Sequence, residues 1–448
     1  MTAYAEKKAR LLADLAAGAA GDGPMVGLAK QTSNLFRDRA QRPRPRIDLK
    51  HFNEVVRVDT AAGVVEAEGM TTFADLADAT LAQGTMPRVV PQLKSITLGG
   101  ALAGVGIESS SFKFGLVHDT VAEFEVLTGD GRIVVCAPDN EHRDLFYGFA
   151  NSYGTLGYAL KVTARTVPVR QFVHVDHVRY SNAHACFADV ARLCAEGGID
   201  FLDGVVFAPR EIYLTRGRFA HVAPYTSDYT FKRIYYRSIR ERPVDYLATR
   251  DYIWRWDSDW FWCSKNVGAQ HPLLRPLFGR KRLNSITYQR IMRWNARWGV
   301  THAWNRLRGV HAESVIQDLD IPIARAAEFL AFLHVEVGIL PIWICPIGTP
   351  DQEQRCTLFP LAPGSVYINF GFWDVVSGRE PRPAGYCNRK IERKVSELGG
   401  IKSLYSDSYF TEDEFWAIYD RPAYARLKEM YDPAGALGDL YAKTVLRA

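Results

Sequence analysis

Glycine is concentrated between Thr97 and Asp119, in the run T-L-G-G-A-L-A-G-V-G-I-E-S-S-S-F-K-F-G-L-V-H-D. Gly99, Gly100, Gly104, Gly106 and Gly115 free the backbone to take positive φ and to approach another group with no Cβ in the way. Between strand-like segments such a run gathers N–H groups suited to a phosphate; taken alone it reads equally well as a set of turns. The flanking sequence narrows the fold. V-V-R-V-D-T-A-A-G-V-V-E-A-E-G alternates on both sides of Gly63 and predicts a hairpin. Thr72 and Asp75 form a capping-box pattern ahead of Phe73, Leu76, Ala77, Thr80 and Leu81, so a helix is expected over 71–84. A second hairpin is expected from 121 to 136 around Thr128-Gly129-Asp130-Gly131, then a helix over 144–153 and a strand over 158–167. A Rossmann unit needs G-x-G-x-x-G directly after an N-terminal strand. Here the glycines lie deep in a chain of hairpins, which excludes that fold.

The length of 448 residues allows two or three domains around a large core, and 47% hydrophobic with 23% charged residues is the balance of a soluble globular chain. Seven cysteines, an odd number without a C-x-x-C pair, argue against a disulfide framework or a zinc site and fit a reducing cytosol. Residues 1–23 read as an amphipathic N-terminal helix, neither a signal peptide nor a span. No apolar run reaches the roughly 18 residues a membrane helix requires. Charge is unevenly spread: residues 231–310 hold 17 Lys/Arg against 5 Asp/Glu, although the whole chain is only +5. The same segment holds seven of the ten tryptophans, Trp254, Trp256, Trp260, Trp262, Trp294, Trp298 and Trp304. Arginine with tryptophan suits an anionic lipid surface or, by stacking, nucleic acid. It also suits a solvated basic face over an aromatic core.

Several motifs identify a family resemblance. T-L-G-G-A-L-A-G (97–104), the pattern from Phe114 to Asp119, E-V-L-T-G-D-G (125–131), D-L-F-Y (144–147) and G-T-L-G (154–157) resemble the vanillyl-alcohol-oxidase/p-cresol-methylhydroxylase (PCMH) type of FAD-binding domain. G-I-E-S-S-S-x-K-x-G (106–115), V-I-Q-D (315–318), P-I-W-I-C-P (341–346), L-Y-S-D-S-Y (404–409) and E-F-W (414–416) are similar to the sterol side-chain (delta-24) reductase family within it. The resemblance implies an α+β fold: a PCMH-type two-subdomain FAD-binding domain over 24–170, then an α+β substrate (cap) domain with an antiparallel sheet over 171–385. Residues 386–448 would complete the active site.

It also implies site residues. For FAD these are the turn Lys30, Gln31, Thr32, Ser33 and Asn34, the loop Thr97, Leu98, Gly99, Gly100, Gly104 and Gly106, and the stretch Ile107, Glu108, Ser109, Ser110 and Ser111 beside the isoalloxazine. Lys113, Gly115 and Asp119 follow, with Gly154, Thr155 and Gly157 on the adenosine side. His118 does not occupy the family's usual linking position, so FAD is expected to be non-covalent and no metal is expected. For catalysis, Tyr405, Asp407 and Tyr409 alternate and would share one side of a strand. Gln317 and Asp318 form a second polar pair, and Trp343, Phe370, Phe372 and Trp416 would line an apolar pocket. The tyrosines read alternatively as core residues with satisfied hydroxyls, and Asp318 as a turn or capping residue.

The family's chemistry reduces an isolated lipid C=C with NADPH. Such an alkene has no carbonyl to polarise it, so a proton must be supplied as hydride reaches the tertiary, cation-like carbon. That chemistry needs an acid, a dry pocket and aromatic faces. A bacterial-looking member without the family's membrane-anchor helix is expected to act on an unsaturated or methylene-branched fatty acyl chain, with a sterol side chain as the other candidate. The expected setting is the cytoplasm, peripheral on the inner face of the cell membrane through 231–310, without nucleic acid. A partner methyltransferase or reductase is left open, and NADPH would share the lipid's opening or come with such a partner. The competing readings are a flavin oxidase or dehydrogenase of an alcohol or hydroxy acid, and a non-catalytic membrane-surface protein.

Overall fold

Period-two patterns between residues 55 and 168 build one large sheet, those from residue 172 onward build a second, and the short strands Gly27–Leu28 and Arg46–Ile47 pair with each other. The computed structural model describes residues 3–18, 27–29, 36–37, 46–299, 309–350 and 356–447. Its strands are β1 (Gly27–Leu28), β2 (Arg46–Ile47), β3 (Val55–Asp59), β4 (Val64–Glu68), β5 (Thr85–Pro87), β6 (Val121–Leu127), β7 (Ile133–Cys136), β8 (Tyr158–Pro168), β9 (Phe172–Tyr180), β10 (Phe201–Ala208), β11 (Glu211–Ala220), β12 (Val244–Ala248), β13 (His311–Pro322), β14 (Ile342–Gly348), β15 (Val366–Gly378) and β16 (Ile401–Lys402). The first sheet has the order β3-β4-β8-β6-β7, with β5 on β8, and is antiparallel throughout. The second is an eight-stranded antiparallel sheet, β12-β9-β11-β10-β14-β15-β13-β16. The two expected hairpins are β3–β4 and β6–β7, turning at Gly63 and Gly131, where φ is +66° and +85°.

Helix α1 (Ala3–Gly18) lies against the first sheet: Lys7 Nζ meets Glu68 at 2.8 Å and Tyr4 donates to Glu125 at 3.0 Å. Helix α2 (Phe73–Leu81) starts where the capping pattern places it, with the Thr72 hydroxyl accepting from the Asp75 amide. Helix α3 (Leu98–Gly104) absorbs the first glycines of the run. No described helix is long and apolar enough to cross a membrane.

The second sheet decides the site. On β13, Val315, Leu319 and Ile321 join Phe370 and Phe372 of β15 in an apolar layer covered by the helices Ala183–Glu196, Ala326–Phe332 and Tyr386–Glu397. Asp318 and Asp320 therefore emerge on the opposite face, opposite Gly371 and Asn369 of β15. The C-terminal helices Arg421–Tyr431 and Leu440–Thr444 return to the first sheet, where the Gly129 amide donates to Tyr431 O at 2.8 Å.

Two expectations change here. Residues 405–409 are not a strand; Ser406 alone makes a bridge, to Phe36. The buried Lys402–Glu392 pair takes the backbone instead: Lys402 Nζ donates to Asp407 O at 2.5 Å, and the Tyr409 amide donates to Glu392 at 3.1 Å. The basic segment is not uniformly a surface either. Trp254, Trp256, Trp260 and Trp262 are all at most 7% exposed, because they form the aromatic core between the sheets, with Phe261 stacked 4.7 Å from Trp256 and 4.3 Å from Trp373. Trp294 and Trp298 are exposed, and Trp304 lies outside the described residues.

Candidate active site

A cavity of about 430 Å³ runs between the two sheets, its walls drawn from Gly27 in β1 to Lys443 in the last helix. One end is built of backbone. Thr97, Gly99, Gly100, Gly104, Gly106, Ile107, Gly154 and Gly157 line it, as the resemblance implies. The glycines are required: a Cβ on Gly99 would sit 2.8 Å from Gly69 O, and one on Gly157 2.7 Å from Leu127 O. The amides that are free for a ligand are nonetheless not at the start of α3. Leu98, Gly99 and Gly100 already donate to Thr71 O, Gly69 O and the Thr97 hydroxyl. At the other end of the helix, Val105 takes φ +58°, an unusual conformation for a β-branched residue. Among the described residues the amides of Val105, Gly106 and Ile107 have no protein acceptor. Arg46 and Lys443 line the same cavity, Lys443 Nζ being held by Tyr153 O at 2.7 Å. The Gln92 side chain also lines it, 4% exposed, and neither polar atom of its amide has a partner.

The other end is aromatic and acidic. Trp260, Phe261, Trp343, Trp373 and Phe36 surround Asp318, Asp320, Asn369, Ser403 and Tyr405. Asp318 Oδ1 is buried without a partner and lies so close to β15 that a Cβ on Gly371 would come within 2.7 Å. Burial pushes the Asp318 carboxyl well above the usual carboxylate range; the neighbouring Tyr405 hydroxyl offsets this only in part, and Asp320 adds to it. Burial also raises Asp320, to about 7, although Asn369 Nδ2 donates to its Oδ1 at 2.7 Å. The Tyr405 hydroxyl accepts from Trp373 Nε1 at 3.0 Å, and burial followed by the Asp318 charge pushes its pKa up.

Several expected residues lie elsewhere, for stated reasons. Leu98 is core. The Glu108, Ser109, Ser110 and Ser111 side chains turn away from the cavity: Ser109 Oγ donates to Glu108 Oε1 at 2.7 Å, Ser110 Oγ to Arg88 O at 2.7 Å, and Ser111 Oγ accepts from the Glu108 amide at 3.1 Å. Glu108 itself, with Asp203, flanks the fully buried Arg255 guanidinium at 2.9 and 2.8 Å. Lys113 faces Asp200 at 3.6 Å, Asp119 caps the Leu116 amide at 2.7 Å, Gly115 packs on Asp119, and Thr155 bonds Ser152 O. Gln317 points to the helical side and donates to Asn388, since adjacent strand residues face opposite ways. Phe370 and Phe372 are on that side for the same reason, and Trp416 stacks near Tyr424. Asp407 lies 3.6 Å from Arg447, and Tyr409 packs on Gly385 and accepts from Arg447. Lys30, Gln31, Thr32, Ser33 and Asn34 are outside the described residues. Sequence reasoning missed Asp320, which the same period two that places Asp318 would have found. It also missed Gln92, Asn369 and Lys443, which carry no local signal.

Residues 16–137 match the FAD binding domain family. With a PCMH-type FAD-binding domain joined to an antiparallel α+β domain, the chain is an FAD-dependent oxidoreductase. It is related to the Delta(24)-sterol reductases: 27% identity over 409 residues to those of Macaca fascicularis and Homo sapiens, covering 87% of this chain and 76% of each relative. A cytokinin dehydrogenase 7 of Oryza sativa subsp. japonica is 31% identical, over 157 residues and 34% of the chain.

FAD fits the cavity. The unpaired amides of Val105–Ile107 with Arg46 and Lys443 suit a pyrophosphate, and the partnerless Gln92 amide offers a flavin edge one donor and one acceptor. Among the described residues no His or Cys lines the cavity, and His118 lies outside it.

Proposed function

We propose that this enzyme reduces an isolated C=C of a lipid, a methylene-branched or unsaturated acyl chain or a sterol side chain, with NADPH as the source of hydride and FAD held non-covalently. The observation that carries the reading is Asp318: a carboxyl that lines the aromatic pocket with no protein partner for its Oδ1, in a buried setting that favours its neutral form. Bound in the cavity, FAD would supply the hydride-transfer chemistry that links the nicotinamide to the tertiary alkene carbon. Asp318 supplies the proton: its O–H bond breaks as a C–H bond forms at the less substituted alkene carbon, and Asp318 is left as a carboxylate to be reprotonated from solvent. Tyr405, fixed by Trp373 Nε1, orients that carboxyl. The faces of Trp260, Phe261 and Trp343 stabilise positive charge developing at the tertiary carbon and exclude water that would trap it.

An alcohol oxidase would need a base, and the burial of Asp318 favours its acid form instead. Anaerobic mixing with NADPH distinguishes the two. The reductase bleaches the flavin absorbance, and Tyr405→Phe retains the bleaching while losing most alkene reduction. Absence of bleaching, with substrate-dependent peroxide in air, would establish the oxidase instead. Lipid analysis of a deletion strain identifies the substrate by the alkene that accumulates.

A further inference from the structure

From Trp260 through Ala312 the chain carries ten Lys/Arg and no Asp or Glu. Within that stretch the helix Ser285–Trp298 is fixed to the body by its inner face: Ser285 Oγ donates to Asp257 at 2.6 Å and the Tyr288 hydroxyl to Ser258 O at 2.7 Å. Its outer face presents Ile286, Arg290, Arg293, Trp294, Arg297 and Trp298, which follow the three- and four-residue spacing of one helical stripe. Trp294 is 57% and Trp298 67% exposed. The preceding turn exposes Leu273 and Leu277 by 77% and 74%. A solvated basic face does not need large aromatic and aliphatic side chains in water. Among the described residues no carboxylate pairs with Arg290 or Arg297, whereas other cations of the segment do find acids.

We propose that this helix face, with the Leu273–Leu277 turn, is the surface by which the enzyme docks on an anionic phospholipid bilayer. Indole rings placed between arginines enter the headgroup boundary while the guanidinium groups meet lipid phosphate. The absence of acid over the whole stretch favours a bilayer over a protein partner, whose rim would carry both signs. The helix rests on Asp257 and Ser258, immediately before Trp260 and Phe261 of the cavity wall, so docking holds the aromatic end of the cavity near the membrane. The proposal does not depend on which double bond is reduced.

The test is flotation of the FAD-loaded full chain with vesicles of phosphatidylcholine alone or with phosphatidylglycerol added. The wild type is expected to float at least about tenfold more with the anionic vesicles, and less as salt rises. Trp294→Ala/Trp298→Ala should lose flotation on both, and Arg290→Glu/Arg297→Glu should lose the preference for anionic lipid. Flavin content and flavin reduction in solution should stay as in the wild type for both pairs, which separates this proposal from the reading of the active site. Equal flotation by wild type and variants would overturn it. So would a wild-type dimer that the tryptophan pair dissolves, since the face would then be an interface between copies.

Discussion

Asp318 and Asp320 differ by two positions and stand on one face of β13, yet they have different partners and therefore different duties. Asp320 is tied to Asn369, whereas Asp318, which also lines the cavity, has an oxygen with no protein partner. Asp318→Asn should lower alkene reduction by about 10²- to 10⁴-fold, the usual range for a positioned acid, while flavin reduction by NADPH is retained. Loss of both half-reactions together would contradict the assignment. In the wild type the alkene step should weaken as pH rises, because the donor works only while protonated; a step that strengthened with pH would exclude this acid. Asp320 adds a stability effect. Its carboxyl is raised from 3.8 to about 7 in the folded chain, so between those values the unfolded chain has released a proton the folded chain keeps. Stability must then fall as pH rises through that window and change no further above it. Asp320→Asn should flatten this slope in thermal melts, and parallel wild-type and variant slopes would count against the buried, protonated state. Asp318 was legible in the sequence, but Gln317 beside it was not separable without the strand register, which sends neighbours to opposite faces.

At the scale of elements, the glycine run illustrates what patterning reveals and what it leaves out. The hairpins, α2 and the glycine wall were legible because alternation, capping and turn residues are local. That α3 consumes its own first amides was not, since Gly69 O and Thr71 O come from β4's far end, about thirty residues away in sequence. The donors move to the Val105 turn as a result. Gly99→Ala would press a methyl group 3.2 Å from the Ala159 Cβ as well as against Gly69 O. It should destabilise the protein by about 1–3 kcal/mol and weaken FAD retention, measured by melting and by flavin absorbance after gel filtration; unchanged melting and flavin content would contradict the close α3–β8 contact. The misread 405–409 strand has a similar origin. Its side chains alternate, but its backbone groups are bonded by Lys402 and Glu392, and sequence periodicity carries no information about such a pair.

Across the whole molecule, the buried Glu108–Arg255–Asp203 cluster fastens the loop after α3 to the second sheet. Burial raises the Glu108 carboxyl, with Arg255 opposing the shift. Arg255→Met would leave two carboxyls facing each other in the core, and should cost about 3–5 kcal/mol. Denaturant unfolding should show the loss; an unchanged midpoint would mean the cluster does not hold the domains together. Lys443 has a different consequence. The lysine that lines the cavity beside Tyr153 comes from the last described helix, whereas the glycine wall is complete by residue 157. A nascent chain can fold its first sheet early, but the cofactor pocket becomes whole only when synthesis has delivered residue 443. FAD retention is therefore expected to depend on the last helix, and a chain truncated before Lys443 should purify with less flavin absorbance than the full chain; equal flavin content would contradict this.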